Sequence, residues 1–311
     1  MFGVVSIRFP NLGLVFKDLP VSINIFGIEV AIYGLLIAIG AMLGMLLAFR
    51  EAKRTGQNVD HYVDLALFGI FFAIIGTRLF YVIFEWDYYS KHLGEIFNLR
   101  NGGLAIYGGI IAGILTGIVV SKVHKLNFFQ VADTACIGLL TGQIIGRWGN
   151  FFNREVFGGN SDGLFAMQIN TDDGIADVVV PESVDFIEGT KFIQVQPTFL
   201  YESVWNLFIL IMIMAFRKHK KFHGEMFAWY IGGYGIGRFF IEGIRTDQLL
   251  IHGTNIPISQ VVSVIMVIIA VAICIYNRVR LARKPAVEEV AEEVVAEKVV
   301  TEEITTESKV E

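Results

Sequence analysis

"GQIIGRWGNFFNRE", Gly142 to Glu155, ends an apolar run that begins near Phe128 and has reached membrane-spanning length before it turns polar. Arg147, Asn150, Asn153 and Glu155 then fall within nine positions, with Gly146 and Gly149 close on either side of the arginine. A charge at the centre of a bilayer costs at least ~2.5–3.5 kcal/mol. The arginine therefore needs a counter-charge, a route to the interface or a ligand. The rest of the chain decides which.

The chain has 311 residues, of which 54% are hydrophobic and 18% charged, and its mean hydropathy is +0.58. Long runs nearly free of charge point to an all-α polytopic membrane protein. Seven stretches are long enough to cross ~30 Å of hydrocarbon, at 28–49, 62–84, 103–121, 129–149, 199–216, 225–243 and 258–276. Their many glycines suit close helix packing in lipid. "REAKR", "SKVHK", "RKHKK" and "NRVRLARK" follow the first, third, fifth and seventh stretches and hold thirteen Lys/Arg. The N-terminus and the three longer remaining loops hold seven: Arg8, Lys17, Lys91, Arg100, Arg154, Lys191 and Arg245. The basic side faces the cytoplasm, which predicts an outside N-terminus and a cytoplasmic C-terminus.

This reading divides the chain into an extracytoplasmic N-terminal arm at 1–26, a membrane body at 27–277 and a cytoplasmic stretch at 278–311. Two outer segments interrupt the body. Residues 85–101, with interfacial aromatics, lie along the membrane surface as a second arm, and residues 154–197 form a small head. Turn clusters "GGNSDG" and "TDDG", with strand-like "DVVV" and "KFIQV", give the head its folded character. After a basic juxtamembrane stretch, the Val/Glu/Thr tail at 285–311 reads as disordered or as a fraying helix. Residues 286–311 carry nine glutamates and two lysines, so the formal charge of −5 comes from the tail and says little about partners. No basic arm points to nucleic acid, and the N-terminus does not read as a cleavable signal peptide. Cys136 and Cys274 sit singly in apolar runs without metal-ligand spacing, as buried apolar residues do.

With the orientation set, Arg78, Arg147 and Arg238 all lie near the outer ends of their spans. Tyr33, Tyr107, Tyr201 and Glu202 begin inward-running spans at about that level, and Asn150, Glu155, Glu242 and Arg245 follow just above. Each has a plainer reading alone. A lone arginine snorkels, tyrosines form interfacial belts, and Glu242, four residues after Arg238, makes a helix-face ion pair. Asp64 and Asp133, toward the cytoplasmic ends, read as helix caps. The plain readings fail jointly, because snorkelling does not explain a glycine-flanked arginine beside two asparagines and a glutamate. An intramembrane anion site does, since glycines admit close approach and guanidinium forks match phosphate oxygens. Phosphate at that depth, reached from the outer leaflet, is the headgroup of an anionic phospholipid.

At these residues the chain resembles the prolipoprotein diacylglyceryl transferase family. "GRWGNFFNREVFG" (146–158) is similar to the family signature G-R-x-G-N-F-x-N-x-E-x-x-G. "YGLL" at Tyr33, "GGLAIYGG" at 102–109, "QPTFLYE" at 196–202 and "YGIGRFFIEGIRTD" at 234–247 agree in order and spacing. The likeness spans about residues 20–275 and leaves out the tail. It implies a seven-span enzyme of the bacterial cell membrane, working toward the outer leaflet without a cofactor or metal. Such an enzyme moves the diacylglyceryl group of phosphatidylglycerol to the lipobox cysteine of an exported prolipoprotein and releases glycerol 1-phosphate. Arg147 and Arg238 correspond to the arginines around the headgroup, and Tyr33, Asn150, Glu155, Gly158 and Glu242 match other functional positions. Arg78 joins the lipid-binding set by its depth.

The chemistry agrees with these residue types. Charge builds on the departing phosphate, where fixed guanidiniums stabilise it. A thiol of pKa ~8.5 needs a base or a positive field to ionise. One departure bears on that base. Many relatives have histidine where this chain has Tyr107, and often also where it has Gln196, and none of its six histidines lies in the motifs. A histidine-dependent proton transfer does not carry over, which leaves Tyr107 and Glu242 as candidates. Two other classes compete: a transporter, which favours charges near the midplane, and a membrane protein that binds anionic lipid without turnover.

Overall fold

The structure, a computed structural model, describes residues 3–98 and 102–307, with side chains described as far as residue 283. Its helices are α1 (Ile32–Arg54), α2 (Asp60–Phe84), the short α3 (Trp86–Tyr89), α4 (Ile106–Val123), α5 (Phe128–Asn153), α6 (Thr198–Phe216), α7 (Glu225–Ile244) and α8 (Ile258–Glu307). Six of them, α1, α2, α4, α5, α6 and α8, contain segments long and apolar enough to cross a membrane. The sequence reading expects seven such spans. The 20-residue α7 is not among the six, and it carries Arg238 and Glu242. It packs on α5, α6 and α8, with Tyr230, Ile231, Gly232, Gly235 and Gly237 buried. A helix that buries one side against protein can carry charge there, while Ile236, Phe239 and Phe240 make its exposed face apolar.

The helices meet at glycines. Gly40 and Gly44 of α1 face Gly142 and Gly138 of α5, so that a Cβ on Gly44 would stand 2.5 Å from the Gly138 carbonyl oxygen. Two G-x-x-x-G faces thus meet backbone to backbone. Gly76 of α2 and Gly108 of α4 make the equivalent contact in the second pair, with a Cβ on Gly76 falling 2.5 Å from the Gly108 carbonyl.

Above the helices lies a four-stranded antiparallel sheet of order β2-β1-β5-β6, formed by Leu14–Lys17, Val5–Phe9, Met167–Asn170 and Phe192–Val195. The sequence reading separates the N-terminal arm from the head. The structure joins them, with Ile7 opposite Ile169 and Arg8 opposite Gln168. "KFIQV" supplies β6, whereas "DVVV" at 177–180 is irregular. A hairpin of β3 (Ser22–Ile25) and β4 (Ile28–Ala31) then leads into α1, so the first helix starts at Ile32 and not at 28. The head core of Ile7, Phe9, Met167, Ile169, Ile193 and Val195 is continuous with Phe151 at the end of α5 and Phe199 at the start of α6. Those two rings lie 5.0 Å apart.

Arg154 locks the junction. It ends α5 in the left-handed conformation, φ 56°, and its buried guanidinium pairs with Asp173 at 2.8 Å and donates to the Leu19 carbonyl at 2.7 Å. At the other end of the body Asp133 is a helix cap, but for α7 and not for its own helix. Its carboxylate accepts from the Gly224 and Phe227 amides at 2.8 and 2.9 Å and from Lys220 at 3.1 Å. The start of α5 is capped by Asn127 instead. Asp64 lies inside α2 and meets His124 at 3.0 Å, so it is not a cap. The α8 backbone continues as helix to Glu307, where the sequence reading expects a disordered tail or fraying helix. An already nucleated helix extends at little cost through Ala/Glu/Val sequence without glycine.

Gly44→Val should force α1 and α5 apart and lower stability by ~1–3 kcal/mol, as overpacking does. A lower unfolding temperature in detergent would check this, whereas an unchanged one would mean that α1 and α5 are not held at their glycines.

Candidate active site

Three helices bring the charged residues together. Arg147 (α5) approaches Glu202 Oε1 (α6) at 2.5 Å, and Arg238 (α7) approaches Glu202 Oε2 at 3.3 Å. Arg238 also pairs with Glu242, one turn further along α7, at 2.5 Å. Arg245, just past α7, lies 3.8 Å from the same Glu242 oxygen and makes a two-pronged contact with Asp247 at 2.9 and 2.8 Å. The result is a chain of alternating charges, Arg147–Glu202–Arg238–Glu242–Arg245–Asp247. Glu202 and Glu242 are 3% and 2% exposed, a depth at which an unpaired carboxylate is not tolerated. Burial alone would raise Asp247, but the Arg245 hydrogen bond and charge outweigh it and hold the carboxyl below its ordinary range.

Glycines give these groups their room. Tyr33, in the first turn of α1, lays its ring where a Cβ on Gly149 would be. Trp205 of α6 does the same over Gly237 of α7 and donates its indole N–H to the Gly233 carbonyl at 2.8 Å. Tyr234 of α7 faces Arg147, with Glu202 and Arg238 also around it. One turn deeper, Gln143 donates to the Tyr230 hydroxyl at 3.0 Å. Asn206, one turn below Glu202, is wholly buried with neither amide atom paired among the described residues.

The signature residues beyond α5 form the edge of the site. Asn150 donates to Glu155 at 2.8 Å, and Asn153 reaches the same oxygen at 3.4 Å. The Gly158 amide donates to the Gln196 carbonyl at 2.9 Å, and Gly159 donates to Ile244 at 3.1 Å. A Cβ on Gly158 would stand 2.9 Å from both Gln196 Cβ and the Ile244 carbonyl oxygen. Glycine therefore lets the chain leaving α5 run between the start of α6 and the end of α7.

Two expected residues lie elsewhere. Tyr107 is half-buried in the first turn of α4 with its ring 6.4 Å from Phe80 of α2, and among the described residues it makes no hydrogen bond to the arginines. Arg78 is buried and donates to four backbone carbonyls, those of Glu95, Ile96, Gly102 and Gly103, at 2.6–3.0 Å. Its guanidinium also lies 5.1 Å from the Tyr89 ring centroid. It ties down the arm between α2 and α4. Conversely, sequence reasoning grouped Glu202 and Arg245 with the polar residues near this level without giving either a role. A lone acid near the start of an otherwise apolar helix was the available signal for Glu202. An apolar groove of about 640 Å³ between α2 and α4, with Asp64 and His124 among its lining residues, contains none of the arginine chain.

Fold and site together define a helical polytopic membrane protein with a buried, arginine-rich centre at one end of its helices. A sequence model described as prolipoprotein diacylglyceryl transferase matches residues 20–276. The phosphatidylglycerol–prolipoprotein diacylglyceryl transferase of Bacillus licheniformis is 42% identical over 259 residues, 83% of this chain and 92% of that protein. Its counterpart in Clostridioides difficile is 42% identical over 248 residues, covering 80% and 91%. The Staphylococcus aureus protein of the same name is 39% identical over 269 residues, covering 86% and 92%. The chain belongs to the prolipoprotein diacylglyceryl transferase family.

Arg78→Lys keeps the charge but cannot serve four carbonyls in one plane. The outer arm should become more susceptible to limited proteolysis. Unaltered cleavage of the arm would show that Arg78 does not anchor it.

Proposed function

We propose that this protein transfers the diacylglyceryl group of phosphatidylglycerol to the thiol of the lipobox cysteine in exported prolipoproteins. The products are a thioether-linked prolipoprotein and glycerol 1-phosphate, in the first step of bacterial lipoprotein maturation. The observation that carries this reading is the convergence of Arg147 and Arg238 on the one buried carboxylate of Glu202, in a chain of this family. Two guanidiniums from different helices, spaced by a single carboxylate, can take the oxygens of a phosphodiester in its place.

In this reading α7 is the seventh span, with its charged side against α5 and α6 and Ile236, Phe239 and Phe240 facing lipid. The basic loops lie in the cytoplasm, and the arginine chain opens to the outer leaflet of the cell membrane, where exported prolipoproteins arrive. The lipid phosphate sits between Arg147 and Arg238. Tyr33 and Asn150 line the approach, Glu155 and Gly158 shape its upper edge, and Glu242 holds Arg238 in place. Sulfur attacks the glyceryl carbon, the carbon–oxygen bond breaks, and charge collects on the phosphate. Preorganised guanidiniums stabilise that charge better than water does, because they need no reorganisation as it forms. Tyr107 contributes packing near the entry and not the proton transfer, since its ring rests on Phe80.

Incubating the purified protein with phosphatidylglycerol vesicles and a lipobox peptide should yield a peptide heavier by one diacylglyceryl group, read by mass spectrometry. Headgroup binding without that product would favour a non-catalytic lipid-binding protein. Arg147→Ala and Arg238→Ala should each abolish transfer while the protein stays inserted and folded, with lysine a poor substitute. Near-native turnover in either alanine variant would overturn the phosphate clamp. Tyr107→Phe should slow turnover by no more than the ~1 kcal/mol of one hydrogen bond. A thousandfold loss with lipid binding intact would instead make the phenol a proton-transfer group.

A further inference from the structure

The arginine chain is electrically balanced before any substrate arrives. Arg147, Arg238 and Arg245 face Glu202, Glu242 and Asp247, three positive charges against three negative. A phosphodiester brings one more negative charge into a site where the two glutamates are 3% and 2% exposed. Uncompensated charge at low dielectric is removed most cheaply by taking up a proton. The reaction releases one, from the acceptor thiol. The charge balance therefore requires a carboxylate that becomes basic when the lipid binds.

The contacts single out one. Glu242 holds Arg238 at 2.5 Å and is backed by Arg245, which Asp247 also holds. Glu202 instead touches the two guanidiniums that the phosphate needs, Arg147 through Oε1 and Arg238 through Oε2 at the longer 3.3 Å. A phosphate between those guanidiniums competes with Glu202 for both of its partners, whereas Glu242 keeps Arg245. Arg147 stands 2.5 Å from Oε1, which has no other partner among the described residues. That oxygen keeps a free lone pair. The groups facing Glu202 are Arg147 from α5 and Arg238 from α7, with Tyr234 of α7 facing Arg147 and Glu202 both. Glu242 lies beyond Arg238, and Tyr33 of α1 beside Arg147. No histidine belongs to this set, so a carboxylate has to do what an imidazole otherwise would.

We propose that Glu202 is the catalytic base of the transfer, made basic by the binding of the lipid phosphate. The inference rests on the diacylglyceryl-transferase reading. The thiol proton passes to Glu202 Oε1 as the sulfur–carbon bond forms. The glyceryl carbon–oxygen bond breaks with its electron pair going to the phosphate oxygen. Glu202 then gives the proton to the departing glycerol phosphate, which leaves as a monoanion and returns the site to neutrality.

The test uses the purified full-length protein, phosphatidylglycerol vesicles and two lipobox peptides, one with cysteine and one with selenocysteine in its place. A selenol is ionised at neutral pH and needs no base. Glu202→Gln keeps the size and one acceptor oxygen but takes up no proton. It should slow transfer to the cysteine peptide ~10²–10⁴-fold, the range for removal of a general base. Transfer to the selenocysteine peptide should stay within about tenfold of native. Equal slowing with both peptides would make Glu202 a clamp only, and native-like rates with the cysteine peptide would remove it from the mechanism; either overturns the proposal. Glu242→Gln should slow both peptides alike, and selective slowing there would move the base to Glu242. If Glu202→Gln does not accumulate as folded protein, Glu202→Asp must show the same selectivity in smaller measure, and equal slowing overturns the proposal. Failure of the native protein to modify either peptide would refute the transferase reading itself, an outcome separate from the variant comparison.

Discussion

Three guanidiniums placed at the ends of apolar helices have to be neutralised by protein, and the body is organised around that need. Glu202 answers to two of them, one from each neighbouring helix. It fixes the distance between α5, α6 and α7, because Arg147 and Arg238 approach it from opposite neighbours. The cost of burying so much charge is acceptable only when every ion has a partner in good geometry. That requirement explains why α7, the helix richest in charge at this level, sits among α5, α6 and α8. It also explains the glycines. A helix that must bring an arginine within reach of a carboxylate on the next helix cannot keep bulky residues between them. Gly149 gives its space to Tyr33 and Gly237 to Trp205.

The head keeps these helix ends in register. Its core includes Phe151 from α5 and Phe199 from α6, and Trp148 packs against both rings at 6.0 and 5.4 Å. Arg154 ties the end of α5 to Asp173 in the insert and to Leu19 in the N-terminal segment. A sheet assembled from both chain regions closes over the joint. The position of Arg147 therefore depends on contacts made two turns above it, in parts of the chain that carry no charge chemistry of their own.

Much of this was legible in the sequence, for identifiable reasons. Long apolar runs declare helices because their period and length leave few alternatives, and Arg147 and Arg238, grouped by their places in those runs, do converge. The signature placed Asn150, Glu155 and Gly158 near one another, and the structure brings them to one edge. Less legible was whatever depends on pairing between distant segments. Nothing in "VSIRF" announces a partner some 160 residues away, yet Ile7 pairs with Ile169. Arg78 looked like its fellow arginines by depth, and only the fold of the outer arm shows its four carbonyl partners. Glu202 was seen but given no role, since a lone acid near the start of an apolar helix has no partner in its own stretch of sequence. Its partners lie 55 and 36 positions away, beyond any local pattern.

The other end of the body offers a control for the meaning of buried charge. There Glu51 takes Arg54 and Arg217, Asp133 takes Lys220 and two backbone amides, and Glu225 takes Arg278 and the Lys221 amide. Every oxygen of these three carboxylates has an aligned donor among the described residues. They cap helices and tie helix ends together. The arginine end differs. Gln143 Oε1 and both amide atoms of Asn206 are buried without a hydrogen-bond partner among the described residues. Unsatisfied polar atoms at that depth are expensive, and these three lie on the adjacent helices α5 and α6, beside Glu202 and its arginines. One end of the body uses its carboxylates to hold helix ends, and the other leaves amide groups beside its charge chain that a polar ligand can satisfy.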